Sequence, residues 1–368
     1  MNERPDIILD AHLDIAMNHV ALGRDFTQAT WVTQARENKL PGMPYDGIGV
    51  AAVGLPDMLL GRVALVFGTL WVCPPFKTPL LDRLFPHVGY ETPEQAYRQA
   101  LRQMDYYHRL ADEHERIQLV RTRAELNAVL ATWGPGTTLE EHHLGIVVSM
   151  EGADPILEPK QLEEWVARGV RAVGPAWMAT RYAAGTGAPG RLTGLGRELL
   201  EVMADFQLLL DLSHLAEDAY LEAVDRYEGP LMASHSNPRR FVDSDRHLSD
   251  AMIRRLAERD GVVGVVLYNR FMQEGWTPGS DRKTDVTMRD VLDIIDHICQ
   301  VTGSARHVGI GTDWDGGFGW ESIPAPFDSH LDLWRLRAAL AGRGYDEDDI
   351  RAILAGNFLR QLEASLPT

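Results

Sequence analysis

Short apolar runs rich in β-branched residues alternate along this chain with longer stretches whose apolar positions recur at helical spacing. The runs fall at 6–12, 63–72, 145–151, 170–176, 208–214, 230–235, 261–268 and 307–313. Between them, "TPEQAYRQALRQMDYYHRLADEH" (92–114) predicts a helix with Thr92 as N-cap, Pro93 at the first helical position and Glu94 and Gln95 in the first turn. Residues 192–207, 249–260 (capped by Ser249) and 287–303 (Thr287 to a terminating Gly303) read the same way. Eight strands alternating with helices predict parallel strands joined by helical crossovers, and eight is the number that closes a (β/α)8 TIM barrel. A doubly wound open sheet is the competitor, but no G-x-G-x-x-G follows the first strand. The chain, 1–368, thus reads as a single barrel domain. A long mixed segment around 15–61 is inserted in it and predicted to fold over the barrel mouth; within it, Pro/Gly-rich 41–49 reads as a loop.

The strand ends carry the chemistry. "IILDAHLDIAMNHV" (7–20) finishes an apolar run with His12 and Asp14, two apart and so on one face of a strand. The third run ends in Glu151, the fifth in His214, the sixth in His235 and the eighth in Asp313. In a barrel of this kind these ends meet at the C-terminal rim, where catalytic groups sit. One histidine after an apolar run is ordinarily a hydrogen-bonded structural residue. Three histidines joined there by three carboxylates form a cluster, and buried carboxylates need a counter-charge. Neither Lys nor Arg stands at those ends, so a divalent metal supplies it. Three imidazoles and three carboxylates suit Zn²⁺ or a similar ion and exceed what one catalytic zinc takes. Two divalent metal ions follow: His12 and Asp14 hold one, His214 and His235 the other, Glu151 bridges, and Asp313 bonds the attacking water.

Composition narrows the setting. With 368 residues, 45% of them hydrophobic, the chain can bury a large core. A net charge of −17 without a basic cluster argues against a nucleic-acid or anionic-membrane partner. The N-terminus lacks a signal-like pattern and no window is apolar enough for a membrane helix. Two cysteines, Cys73 and Cys299, make no disulfide framework, so the default location is the cytoplasm.

Six motifs, "DAHLD" (10–14), "SMEGAD" (149–154), "LLDLSH" (209–214), "ASHSNPR" (233–239), "HVGIGTDWDG" (307–316) and "GNFLR" (356–360), occur in the order and spacing of a known family. In them the sequence resembles the membrane (renal-type) dipeptidases, peptidase family M19, a branch of the amidohydrolase-like metal-dependent hydrolases. The resemblance spans essentially the whole chain. It implies a (β/α)8 barrel, two zinc ions and cleavage of a dipeptide amide. It carries over His12, Asp14 and Glu151 on one metal, Glu151, His214 and His235 on the other, and Asp313 as base. It also implies an Arg after the strand-6 motif that holds the substrate carboxylate, here Arg246, and a pocket-lining aromatic, here Tyr268. A homodimer is implied as well.

Two positions depart from the family pattern. After strand 4 the family has a His in a "T-L-T-H" ending that helps stabilise the transition state; "VRAVGPAW" places Trp177 there. Indole N–H donates a hydrogen bond but does not ionise, and Arg181 and Tyr182 are the neighbours available to compensate. Val266 stands where the family has Asn. The expected function is a zinc-dependent dipeptidase. The alternatives are the same two-metal site acting on another small amide or lactone, and a metal- or peptide-binding barrel with little turnover. His297 and His307 read as structural, and His142 and His143 lie at the far end of the barrel. "GGFGWES" (316–322) reads as part of the mouth with Trp320 as a lid residue.

Overall fold

Each of the eight apolar runs forms a strand in the computed structural model, which describes residues 5–39, 48–74 and 88–368. The strands are β1 (Ile8–Leu13), β2 (Val63–Trp71), β3 (Leu144–Glu151), β4 (Val170–Gly174), β5 (Leu209–Asp211), β6 (Leu231–Ala233), β7 (Val262–Val265) and β8 (Val308–Ile310). Each pairs in parallel with the next. β8 pairs back onto β1 with Ile310 opposite Asp10, so the sheet closes into a (β/α)8 barrel. All strand residues are buried. Inward side chains fill the barrel and outward ones meet helices, which is why the runs are largely apolar instead of alternating.

The helices begin and end where their caps dictate. Pro93–Glu113 opens on a reciprocal Thr92–Gln95 capping box, and Ser249 accepts from the Met252 N–H to start Asp250–Glu258. Met288–Thr302 stops at Gly303, whose φ of 73° is left-handed.

Five predicted strands overrun by two residues or more: 170–176 ends at Gly174, 261–268 at Val265, and three others end at the rim. The runs 208–214, 230–235 and 307–313 stop pairing at Asp211, Ala233 and Ile310. His214 and Asp313 adopt φ of 66° and 59°, which no ladder accommodates. Side-chain carboxylates take over there: Asp211 accepts from the N–H groups of Ser213 (3.0 Å) and Ser234 (2.9 Å), and Asp10 from that of Thr312 (2.9 Å). Two extended pieces lie outside the predicted set. Ile117–Leu119 pairs with the first half of β3, too short to leave a pattern. Ala183–Gly185 and Ala188–Leu192 form an antiparallel hairpin in the glycine-rich loop after β4.

Within segment 15–61 the described residues include helices Ile15–Leu22, Thr30–Glu37 and Leu55–Leu60; most of the predicted loop 41–49 lies outside them. Buried Arg24 joins Glu37 (2.8 Å) to Asp315 (3.3 Å). The N–H groups of Val50 and Ala52 donate to Glu321 and Asp315. The segment is thereby tied to the loop that follows β8. No helix among the described residues is long and apolar enough to cross a membrane.

Candidate active site

The ionisable groups that end the strands converge at the C-terminal rim. Glu151, the last residue of β3, is at their centre. Its Oε1 lies 3.0 Å from His214 Nε2 and 3.3 Å from His235 Nε2, and its Oε2 lies 3.4 Å from His12 Nε2. His12 Nε2 is 4.0 Å from Asp14 Oδ2 and 3.9 Å from Asp313 Oδ1. The His12 and His235 rings stack with centroids 3.7 Å apart. The left-handed backbone of His214 and Asp313 costs about 1–3 kcal/mol each, which the surrounding hydrogen bonds must offset.

A second set of polar groups orients the first. His214 Nδ1 lies 3.0 Å from Thr186 Oγ1, in the turn of the hairpin after β4. His235 Nδ1 lies 2.7 Å from Ser234 Oγ, which donates to Asp211 Oδ2 at 2.5 Å. With Nδ1 engaged, each ring turns Nε2 toward Glu151. Asp10 acts likewise across the β1–β8 seam. It accepts from Thr312 Oγ1 (2.6 Å) and the His12 N–H (3.4 Å), and it meets His330 Nε2 at 2.9 Å. Sequence reasoning missed these orienting residues. The "DAH" and "DLSH" spacings, a carboxylate two or three places before each histidine, carried the signal for Asp10 and Asp211; nothing in the sequence marked Thr186.

Burial and mutual charge set the protonation states of the protein groups. Burial works to raise the pKa of Glu151, yet the His12 charge and the imidazole contacts hold it well below the carboxylate range. His12 rises to about 10 against desolvation, because Glu151, Asp14 and Asp313 face it. Burial, then Arg246, pushes His214 down to about 4, and burial with the His12 charge takes His235 well below its ordinary value. Asp14 is raised by burial and by Glu151. Burial lifts Asp313 to about 7, with Glu151 adding to it and His12 opposing.

The donor set suits a divalent cation. His12 Nε2 and Asp14 Oδ1 are buried without a hydrogen-bond partner, and His214 and His235 direct their Nε2 atoms at each other. His214 and His235 are held neutral with lone pairs to offer, and a cation would take the place of the proton on His12; imidazoles grouped with carboxylate oxygens are the ligand chemistry of zinc-like ions. Two triads, His12–Glu151–His235 and His12–Asp14–Asp313, each bring ligand atoms within 4.8 Å of one another.

A cavity of about 560 Å³ opens over the cluster. Arg246, Tyr268 and Trp177 all line it. Buried Arg246 donates from Nη2 to the His235 carbonyl (2.7 Å) and from Nη1 to Ser236 Oγ (3.3 Å), while its Nε is unpartnered. Tyr268 lies flat on Phe318 at 4.0 Å. Val266 has both backbone groups held by Asn237, at 3.0 Å each.

Three sequence expectations need correction. Arg181 is committed to Asp154 and to the Ile156 carbonyl (2.7 Å), and Tyr182 donates to that same carbonyl (2.5 Å). Neither lines the cavity, so neither stands in for the absent histidine. Trp320 donates to Asp328 (2.6 Å) under the Lys283 ammonium, away from the cavity, and is no lid. Gly316, Gly317 and Phe318 of the same loop do line the mouth. His297 meets Asp250 at 2.8 Å and His307 the Gly261 carbonyl at 2.9 Å, both structural contacts.

Comparison with known proteins places this geometry. A model of the family described as membrane dipeptidase (peptidase family M19) matches residues 6–365. The solved structure of a metallopeptidase from Rhodobacter sphaeroides, liganded with a phosphinate mimic of the dipeptide L-Ala-D-Ala, is 25% identical. It aligns with 98% of this chain and 99% of its own at a TM-score of 0.77. An uncharacterized protein from the pqqA 5′ region of Klebsiella pneumoniae is 30% identical over 234 residues, 61% of this chain and 83% of its own. An uncharacterized dipeptidase of Schizosaccharomyces pombe is 30% identical over 225 residues, 60% of this chain and 53% of its own.

Proposed function

The chain belongs to the membrane dipeptidase family, peptidase family M19, and from that premise we propose that it hydrolyses the amide bond of a small dipeptide at a centre of two divalent ions. The observation that carries this reading is Glu151, whose two oxygens face different imidazoles: Oε1 faces His214 and His235, Oε2 faces His12. On this reading His12 and Asp14 hold one ion, His214 and His235 the other, and Glu151 serves both. Zn²⁺ is the ion that such a nitrogen–oxygen set favours. The ions, when bound, supply the charge that neutralises the buried carboxylates, polarises a carbonyl and makes water nucleophilic near neutral pH.

The chain's own groups bind, orient and move the proton. Arg246 receives the free carboxylate of the substrate; it is a fixed fork whose Nε has no protein partner. Tyr268, backed by Phe318, walls that end of the cavity. Water adds to the scissile carbonyl carbon and its proton passes to Asp313, which returns it to the leaving nitrogen as the C–N bond breaks. Asp313 lines the cavity beside the cluster, 3.9 Å from His12 Nε2, where a carboxylate can take up and return that proton. From segment 15–61, Met17 of the helix Ile15–Leu22 reaches the cavity wall.

Trp177, on the cavity wall after β4, favours a second reading in which the same centre opens another small amide or a lactone. Metal-loaded protein presented with dipeptides (some ending in a D-residue), lactones and N-acyl amino acids separates the two. Cleavage of dipeptides supports the first reading, and cleavage confined to the other compounds supports the second. Stoichiometric metal with no turnover on any of them overturns both in favour of a binding barrel.

A further inference from the structure

The cavity has two unlike walls, set by the order of the strands. In a closed ring of eight, β3 lies opposite β7. From the β6–β7 side come Arg246 and Tyr268, with Arg270 at the rim. From the β2–β4 side come Trp71, the last residue of β2, and Trp177 and Met178 from the turn after β4; Met17 of the first helix joins them. The Glu151–histidine cluster lies between the two. Trp71 and Trp177 meet edge to face, with centroids 5.1 Å apart and planes at 78°, and the Trp177 ring is 6.0 Å from that of His214. Met17 and Trp71, packed with Trp177, belong to an apolar cluster separate from the barrel core. This wall is therefore a surface built at the mouth and not an exposed edge of the interior.

We propose that the Trp71–Trp177 wall is the subsite for a large apolar side chain, aromatic for preference, on the acyl side of the scissile bond, an inference that rests on the dipeptidase reading above. A dipeptide whose carboxylate is held at Arg246 crosses the ionisable cluster and lays its acyl half on the opposite wall. There the indoles offer rigid flat area and the thioethers of Met17 and Met178 adapt to its outline. Polar or acidic acyl-side residues leave water or charge against that surface and are disfavoured.

Calorimetry on the metal-loaded protein, with phosphinate mimics of Phe-Ala and Gly-Ala, reads the subsite without turnover. Values of kcat/KM for the two dipeptides read it with turnover. The Phe form is expected to bind and to be cleaved at least about tenfold better. Trp177→Ala should bring that ratio within about twofold, and Trp177→Phe should retain part of it. Equal affinities for the two mimics in the wild-type protein, or an unchanged ratio in Trp177→Ala, overturns the subsite and leaves the dipeptidase reading in place. Binding of neither mimic overturns both.

Discussion

His214 and His235 face each other nitrogen to nitrogen, their Nε2 atoms 3.1 Å apart and both within 3.3 Å of Glu151 Oε1. Protein partners alone satisfy that approach poorly: Ser234 Oγ gives its proton to Asp211, so His235 donates from Nδ1 and turns an Nε2 lone pair toward the lone pairs of Glu151 Oε1. A cation bound there stabilises the fold by mass action, on the order of 3 kcal/mol at a hundredfold excess over Kd. Chelation is therefore expected to lower the melting temperature by several degrees. His214→Ala should lose metal by elemental analysis and show a smaller response to chelator. Full metal content in that variant would exclude His214 as a ligand.

Asp313→Asn separates proton transfer from metal binding. Asn tolerates the left-handed φ of 59° about as well as Asp, so the turn should persist. The variant is expected to retain its metal and its melting temperature while kcat falls by about 10²–10⁴. A kcat equal to that of the wild-type protein removes the base assignment.

Arg246→Met keeps the apolar stem and deletes the fork. A charged hydrogen bond to a substrate carboxylate contributes about 1.5–3 kcal/mol, so KM for a dipeptide should rise roughly ten- to a hundredfold with a smaller change in kcat. The C-terminal amide of the same dipeptide lacks the carboxylate and should be turned over almost equally by both proteins. An identical loss on acid and amide would mean that Arg246 acts only through packing.

Glu222 fastens the hairpin that carries Thr186, and so reaches His214 indirectly. It pairs with Arg191 of the hairpin (3.1 Å), Arg197 (2.7 Å) and Arg226 (3.0 Å). Burial opposes its charge, yet these bonds bring its pKa from 4.5 to about 2. A folded pKa below the unfolded one gives stability that is complete above pH 4.5 and lost as pH falls toward 2. Arg191 and Arg226 are more than half exposed, so water screens the clamp to about 1 kcal/mol. Glu222→Gln should melt lower than the wild-type protein at neutral pH, the two curves converging in acid. Parallel curves across that range would show that the clamp contributes nothing.

The strands and the convergence of the six rim residues were legible because a barrel strand is buried on both faces, so each run is mostly apolar and its polar side chains gather toward its end. His12, Glu151 and His235 stand at or just beyond such ends. Where pairing stops was not legible, since the turns at His214 and Asp313 depend on Asp211 and Asp10 capturing amides of neighbouring strands. Thr186 was out of reach for a related reason: it lies 28 residues before His214 and meets it only once the hairpin folds back. Arg181 and Trp320 were expected at the mouth from their nearness in sequence to Trp177 and Asp313. In each case a stronger polar partner, Asp154 or Asp328, draws the side chain elsewhere.

Asp10 meets Thr312 and His330 across 302 and 320 residues of chain. The His12 end of the site therefore takes its final form only when chain segments some three hundred residues apart have met, which makes closing the seam a late, long-range step of folding.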